Sequence, residues 1–257
     1  MPLGLGAQMG KGGIVKSIPS HVTDNLKMLH RYNTGSVVPV SDGAALLNGT
    51  NAYINCGNPS ALQVGAADMS YAAWIKTTGS GEYIIAKRDD SNGAHSLHIH
   101  SDGTLIYYNG TQSNSTSSGT VNDGKWHHVA CAYDHSELDV FYYIDGVLSS
   151  SDSSVTSNNF DESASELYIG FRESGDSGHY LDGYICNVGM WSVALTQAQI
   201  KSIMWKQYEA LSSSEKTGLI GWWKCDSEVG SDGNAGDGYI LNEDVGAGST
   251  VGLGTLV

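Results

Sequence analysis

Apolar and polar positions alternate through residues 125–150 in the way that predicts a β-hairpin. In the first apolar run, Val129, Cys131 and Tyr133 fall on one face of a strand, and the second run repeats the same two-residue period. A polar turn separates the two runs, and the Asp-Gly pair at 145–146 favours a second, tighter turn. The stretch is therefore predicted to form two paired strands followed by a further turn.

Short apolar runs of this kind recur through most of the chain, separated by Gly, Ser, Asn and Asp. Residues 68–78 place Met69, Tyr71, Ala73 and Ile75 on one face of a strand and Trp74 on the other. The 33 glycines favour frequent turns, and the hydrophobic fraction of 40% is enough for a sizeable core. This pattern predicts an all-β protein with many short strands.

Helical spacing stands out in one place, residues 192–211. Thr196 suits the N-cap, and Gln199 three residues later completes a capping box. Leu195 and Ile200 flank the cap as a hydrophobic staple does. One apolar face is formed by Ile200, Ile203, Met204, Tyr208 and Leu211. A helix is therefore predicted here, on the outside of the strands or at their end.

The two ends of the chain differ from the body, residues 24–216. Residues 1–23 are predicted to form an extended arm, because five glycines disfavour a helix there while aliphatic residues remain spaced along it. Residues 217–257 begin like a strand and then become rich in glycine. That strand either completes the sandwich of strands or leaves it as a second arm.

Spaced aliphatic side chains predict that both ends dock on a neighbouring surface. The alternative for the arm is an ordinary first strand packed on its own domain. In the C-terminal segment, Trp222 and Trp223 are adjacent, and neighbouring side chains of a strand point to opposite faces. One of the two indoles is therefore expected to be exposed or to meet a partner. The predicted docking residues are Leu3, Leu5, Ile14, Val15, Ile18, Trp222 and Trp223.

Charge and cysteine spacing narrow the function classes. The formal charge is −14, from 13 basic and 27 acidic residues, and this argues against nucleic-acid binding. No apolar run approaches the roughly 18 residues of a membrane-spanning helix, and the N-terminus lacks the apolar centre of a signal peptide. The cysteines are far apart, which disfavours zinc and predicts buried thiols: Cys56, Cys131, Cys186 and Cys225.

Catalytic patterns are weak in this sequence. No strand carries the spaced carboxylates of a glycosidase, and no Gly-x-Ser-x-Gly elbow occurs. We therefore predict a protein that is not an enzyme, although triads that include histidine stay open. His98 and His100 alternate on one strand face with His95 nearby, a spacing that can seat zinc or copper but is also that of a polar strand face.

Three stretches resemble the laminin-G-like, concanavalin-A-like jelly-roll domains. Residues 125–150 resemble their central hairpin, with its Trp-His-His-Val strand and Asp-Gly turn. Residues 70–89 resemble their early strand pair, and residues 181–200 resemble their closing motif. The matches follow the expected order over about residues 25–205. The resemblance implies a jelly-roll sandwich of two antiparallel sheets with one short C-terminal helix.

The resemblance also implies where ligands would bind. Domains of this kind bind calcium at loops on one edge, which makes calcium a possible ligand here, although no linear motif joins the candidate donors and a turn role is the alternative. The calcium candidates are Asp42, Asp89, Asp90 and Asp182. Sugar binding would use aromatic side chains beside loop carboxylates, although most aromatics in a sandwich are core residues. The aromatic candidates are Trp126, Tyr107 and Tyr108.

A lectin-like jelly roll without a secretion signal resembles phage structural proteins. We therefore expect a virion protein, made in the host cytoplasm and present in several copies, that decorates a capsid. Its arm and tail would grip major capsid or other virion proteins, and its domain would face outward. The alternative is a fibre-associated adsorption module that binds a cell-surface glycan, and the third hypothesis is a glycan-active enzyme.

Overall fold

The computed structural model describes residues 41, 43–88, 93–109, 116–153, 155, 165–173, 179–225 and 238–240. The predicted arm, and with it five of the docking residues, lies outside the described residues. So do the calcium candidates Asp42, Asp89 and Asp90. All described residues belong to one compact unit, residues 36–257.

The described strands form two antiparallel sheets, as predicted. Sheet A contains β1 (Ala45–Asn48), β3 (Met69–Thr77), β7 (His127–Asp134), β8 (Asp139–Ile144), β9 (Val147–Asp152), β11 (Asp182–Trp191), β12 (Leu219–Trp223) and β13 (Gly238–Ile240). Sheet B contains β2 (Ile54–Gly57), β4 (Tyr83–Arg88), β5 (Gly93–Ile99), β6 (Leu105–Tyr108) and β10 (Leu167–Ile169). The order in sheet A is β13-β12-β11-β3-β7-β8-β9 with β1 beside β11, and the order in sheet B is β2-β10-β4-β5-β6.

The predicted hairpin is formed by β7 and β8. Asp145 and Gly146, with φ of 52° and 73°, make the two-residue turn from β8 into β9. Both positions of such a turn need positive φ, which is why Asp-Gly predicts it. Oδ1 of Asp145 accepts the backbone N–H of His128 at 2.9 Å, and this bond ties the turn back to β7.

The core lies between the sheets and contains all four cysteines. Each cysteine is buried and none forms a disulfide, which confirms the predicted thiols. Burial raises the pKa of the Cys131 thiol to about 12, so this group stays protonated and unreactive. The thiols therefore act as small apolar side chains.

Helix α1, Gln197–Ile203, packs on the face of sheet A that points away from sheet B. The predicted capping box is present: the backbone N–H of Thr196 donates to Oε1 of Gln199 at 2.9 Å, and the backbone N–H of Gln199 donates to Oγ1 of Thr196 at 3.4 Å. The helix ends earlier than predicted: beyond Ile203 the backbone N–H of Lys206 donates to the carbonyl of Ile203 at 2.9 Å, three residues back instead of four, and the carbonyl of Met204 accepts Nε1 of Trp74 at 2.7 Å. No helix in the described part of the chain is both long and apolar enough to cross a membrane.

The strand predicted at the start of the C-terminal segment, β12, completes the sandwich and does not leave it as a second arm. It pairs with β11, with Trp222 opposite Gly189 and Trp223 opposite Val188, and so completes sheet A. The two indoles do point to opposite faces, but they are only 2% and 4% exposed. Trp223 lies in the core between the sheets, and Trp222 lies in the apolar cluster with helix α1. The prediction of an exposed docking indole is therefore wrong, because the helix covers the face that Trp222 occupies.

Candidate functional site

The structure separates the three aromatic residues proposed for sugar binding. Tyr107 is fully buried and stacks on Tyr133 with ring centroids 5.5 Å apart, so it is a core residue and this part of the prediction is wrong. Tyr108, the next residue of β6, points the other way and is half-buried. Trp126 is half-buried beside Tyr184 of sheet A, with ring centroids 6.1 Å apart. Tyr108 and Trp126 therefore belong to different sheets and do not form one site.

Asp182 is the one calcium candidate within the described residues. It is exposed at the start of β11, where its backbone carbonyl accepts the hydroxyl of Thr77 at 2.7 Å. The nearby carboxyl of Glu82 is buried, and this burial raises its pKa to about 6. Within the described residues, no three His, Cys, Asp or Glu side chains are grouped so as to hold a metal ion.

The histidines of β5 divide between the two faces of sheet B. His95 is fully buried and hydrogen-bonds to the hydroxyl of Tyr71, whereas His98 and His100 follow the opposite, outward parity. His100 Nδ1 lies 3.1 Å from the carboxylate of Asp102. The three imidazoles therefore contact different partners, and these contacts indicate structural roles.

The family hairpin histidines are also held by local partners. His127 lies between two carboxylates, 3.1 Å from Asp123 and 2.9 Å from Asp145. The hydrogen bond that His127 donates to Asp145 raises the pKa of His127, and burial lowers the pKa of His128 to about 4. The contact with Asp145 ties β7 to the turn before β9, and the contact with Asp123 ties it to the loop before β7, which supports a structural role.

The outward-pointing residues of sheet B form a continuous face, named here the sheet B outer face. Apolar residues of all five strands point into the core, so the alternating residues point away from sheet A. One row crosses the five strands and consists of Asn55, Tyr168, Ala86, Ser96 and Tyr108. At a strand spacing of about 4.8 Å, this row is roughly 19 Å long.

One edge of the sheet B outer face carries an aromatic cluster of Tyr53, Tyr168, Phe171 and Tyr180. Phe171 stacks on Tyr180 with centroids 4.4 Å apart, and Tyr53 lies 4.9 Å from Phe171. Tyr168 meets Tyr53 edge to face at 5.6 Å. All but Tyr168 are half-buried, so their rings keep some access to solvent.

Two carboxylates and an amide border the aromatic cluster. Oε2 of Glu166 accepts the hydroxyl of Tyr168 at 2.7 Å and Nδ2 of Asn55 at 2.7 Å. Glu173 is exposed, with Oε2 3.4 Å from the same hydroxyl. Burial and the hydrogen bond to Glu166 raise the pKa of Tyr168, so it remains a neutral donor. The arrangement presents fixed acceptors and an amide next to aromatic rings.

The middle of the sheet B outer face is basic. His98 stacks on Tyr83 with ring centroids 4.4 Å apart, and the guanidinium of Arg172 lies 5.4 Å from the same ring. The guanidinium of Arg88 lies 3.6 Å from the ring centroid of Tyr108. Burial, and after it the positive charge of Arg88, lowers the pKa of His98 to about 3, so this imidazole is neutral near pH 7.

Sequence reasoning singled out Tyr108 on this face but missed the aromatic cluster, because the residues of the cluster come from distant parts of the chain. Tyr53 precedes β2, whereas Phe171 and Tyr180 follow β10. The available signal was local: Tyr53, Phe171 and Tyr180 each lie within two residues of the end of a strand. That signal identifies sheet-edge aromatics, but only the pairing of β2 with β10 brings these particular rings together.

A cavity of about 570 Å³ lies elsewhere, against β12. It is lined by small, aliphatic and neutral polar side chains, among them Ser60, Gln63, Ser192 and Leu219. None of its lining residues is charged or aromatic. The sheet B outer face therefore offers more chemistry for recognition than this cavity.

Two antiparallel sheets packed face to face, with a capped helix on the larger one, define a lectin-like jelly roll. The laminin-G family model described as the concanavalin A-like lectin/glucanases superfamily matches residues 48–201, more than half of the chain. The chain belongs to this superfamily, which confirms the resemblance seen in the sequence. None of the curated proteins compared with the chain matches it.

Solved structures share the fold at low sequence identity. A candidate carbohydrate-binding protein from Bacteroides ovatus has a TM-score of 0.59 and 22% identity, over 76% of this chain and 55% of its own. The SAP-like pentraxin of Limulus polyphemus has a TM-score of 0.50 and 16% identity, over 65% and 84%. Domain 4 of the arabinanase AbnA from Geobacillus stearothermophilus, in complex with arabinotriose, has a TM-score of 0.50 and 19% identity, over 67% and 84%. The chain thus spans about half the length of the Bacteroides protein.

Proposed function

We propose that this protein is a carbohydrate-binding module that binds a glycan on the sheet B outer face and does not catalyse a reaction. The observation that carries the proposal is the convergence of half-buried aromatic rings with fixed carboxylates, an amide and basic groups on one sheet face. The fold likeness to a candidate carbohydrate-binding protein and to an arabinanase domain holding arabinotriose supports it.

The chemistry of a sugar suits this arrangement. Its C–H faces pack on aromatic rings, and its hydroxyls bond to carboxylates and amides. Tyr53, Phe171 and Tyr180 would supply the rings, while Glu166 and Asn55 would supply polar contacts. Because Glu166 is already held by two donors, it is pre-organised to receive a hydroxyl on its remaining oxygen.

Binding is favoured over hydrolysis by the state of the two carboxylates. A glycosidase needs an acid whose surroundings retain its proton, beside a second carboxylate across the scissile bond. Glu173 is exposed to solvent, and Glu166 is committed to Tyr168 and Asn55. Both carboxylates therefore suit recognition better than acid catalysis.

Substitutions at the aromatic edge are expected to weaken glycan binding. Tyr180→Ala removes one face of the ring cluster and Glu173→Gln removes a charged acceptor, and each should raise the Kd at least about tenfold, which is about 1.4 kcal/mol. Glycan-array screening of the full chain identifies a ligand, and calorimetry then gives the Kd for each variant.

The matched controls lie outside this face. Glu137→Gln changes an exposed carboxylate in the β7–β8 turn and should leave the Kd unchanged. Trp126→Ala tests the surface of sheet A. If Trp126→Ala abolished binding while Tyr180→Ala and Glu173→Gln did not, the proposed location on sheet B would be wrong.

We further propose that the module belongs to a virion, as a phage decoration or adsorption protein. The spaced aliphatic residues of the two Gly-rich ends support this setting, since they suit docking on neighbouring subunits. Removal of residues 1–23 should abolish co-sedimentation with assembled capsids while the thermal unfolding of the domain is unchanged. Mass spectrometry of purified particles should detect the chain, and normal attachment of the truncated protein would contradict the role of the arm.

A further inference from the structure

The guanidinium of Arg88 has donor capacity that its protein contacts do not use. Nη1 donates to the hydroxyl of Tyr83 at 3.4 Å, which is long for a hydrogen bond. Nε is shielded from solvent and has no hydrogen-bond partner in the described part of the chain. A guanidinium carries five N–H donors, so most of its hydrogen-bonding capacity is left for another molecule.

The position of Arg88 is set by aromatic packing. Its guanidinium stacks on the ring of Tyr108, 3.6 Å from the centroid, and reaches toward Tyr83. This packing holds the planar group at a fixed place on the sheet B outer face. A fixed guanidinium loses less freedom on binding an anion than a mobile one does.

A second guanidinium lies near Arg88 on this face. The guanidinium of Arg172 lies 5.4 Å from the centroid of the Tyr83 ring, whose hydroxyl accepts Nη1 of Arg88. A half-buried cation is unfavourable without an opposite charge, and tyrosine rings offset that cost only in part. The electrostatics of the face therefore favour an anion.

We propose that the ligand of the sheet B outer face is an acidic glycan whose carboxylate binds Arg88. This inference rests on the proposed glycan binding and specifies its class. A carboxylate matches the planar fork of a guanidinium and accepts two parallel hydrogen bonds from it. The basic middle of the face repels other cations and so selects for a negatively charged sugar.

The distribution of charge also orients the ligand. Arg88 belongs to β4 and its guanidinium lies over the ring of Tyr108 of β6, whereas Glu166 bonds to side chains of β2 and β10. The acidic unit of the ligand therefore lies at Arg88, and its neutral hydroxyls lie at the glutamates.

The test compares acidic glycans with their own neutral forms. Oligosaccharides with uronic or sialic acid units are offered to the full chain as the free acids and as the methyl esters, which remove the charge and keep the sugar. The free acid should bind about tenfold or more tightly than its ester, and added salt should reduce the difference.

Variants of Arg88 test whether this residue causes the preference for the free acid over the ester. Arg88→Gln should remove the preference for the acid and retain binding of the ester, while Arg88→Lys should retain part of the preference. Lys125→Gln, at an exposed lysine paired with Asp123 near sheet A, should change nothing. Thermal unfolding of each variant checks its fold, and the acid-against-ester comparison on the unchanged protein decides the question even if Arg88→Gln fails to fold.

The outcomes separate this inference from the function on which it rests. Equal affinity for acids and esters, or a preference for sulfated sugars over carboxylated ones, would overturn the inference and leave glycan binding intact. An unchanged preference in a folded Arg88→Gln variant would overturn the role of Arg88. Failure of every acidic and neutral glycan to bind would overturn the proposed function as well.

Discussion

Replacing Gly183 with alanine is expected to lower the free energy of unfolding by about 3 kcal/mol or more. A Cβ at this position would lie 2.2 Å from the backbone carbonyl oxygen of Lys76. Gly183 is in β11 and pairs with Thr77 of β3, at the middle of sheet A. The overlap is with backbone, so relief requires that two central strands separate, which also breaks their hydrogen bonds.

Urea unfolding followed by circular dichroism measures this loss. Gly65→Ala is the matched control, because Gly65 has φ of 67° but no atom within 4 Å of the added Cβ. That variant should lose only the roughly 1–2 kcal/mol of left-handed backbone strain. If Gly183→Ala were no less stable than Gly65→Ala, the register of β11 against β3 would be incorrect.

The second large effect is expected at Glu215, which joins helix α1 to the segment before β12. Its side chain is 6% exposed. It accepts hydrogen bonds from Nζ of Lys206 at 2.6 Å, from the hydroxyl of Ser202 at 2.5 Å and from the backbone N–H of Ser212 at 2.7 Å. Glu215→Gln weakens this network and should lower the free energy of unfolding at pH 7 by about 2–4 kcal/mol.

The pH dependence of stability provides a sharper test of Glu215. Burial alone would raise the pKa of this carboxyl, but the bonds from Lys206, Ser202 and Ser212 outweigh burial and lower it from 4.5 to about 2. The folded state therefore holds the ionised form more strongly than the unfolded state does. The resulting stabilisation, about 3 kcal/mol, is present above pH 4.5 and is lost as the pH falls toward 2.

Unfolding curves between pH 2 and pH 7 measure this contribution. Glu215→Gln should show a smaller loss of stability on acidification than the unchanged protein. Glu137→Gln, at an exposed carboxylate, should retain the full pH dependence. Equal acid sensitivity in Glu215→Gln and the unchanged protein would show that Glu215 does not hold its charge in the folded state.

Features that depend on near neighbours in the chain were predictable from the sequence. The turn at Asp145 needs only two residues that accept positive φ, and the cap at Thr196 needs a partner three residues away. The strand faces follow from two-residue alternation, which placed Val129, Cys131 and Tyr133 together in the core. The order of the motifs then indicated the jelly roll, and the family match confirmed it.

The sheet B outer face could not be predicted from the sequence in the same way. Alternation states that Tyr107 and Tyr108 point in opposite directions, but it does not state which of them faces the core. The position of sheet A decided that Tyr107 is buried. Likewise, Tyr53 and Phe171 are separated by more than a hundred residues and meet only because β2 pairs with β10.

The sequence by itself therefore determined the sandwich of strands, the central hairpin, the capped helix start and the buried cysteines. The tertiary structure alone decided where that helix ends, since the backbone leaves helical geometry after Ile203, where the carbonyl of Met204 accepts a hydrogen bond from Trp74 of a distant strand. It also decided that Trp222 and Trp223 are covered, and that aromatic, acidic and basic side chains share one face of sheet B. The physical reason is range: turns, caps and alternation depend on a few neighbouring residues, whereas burial and convergence depend on which strands pair.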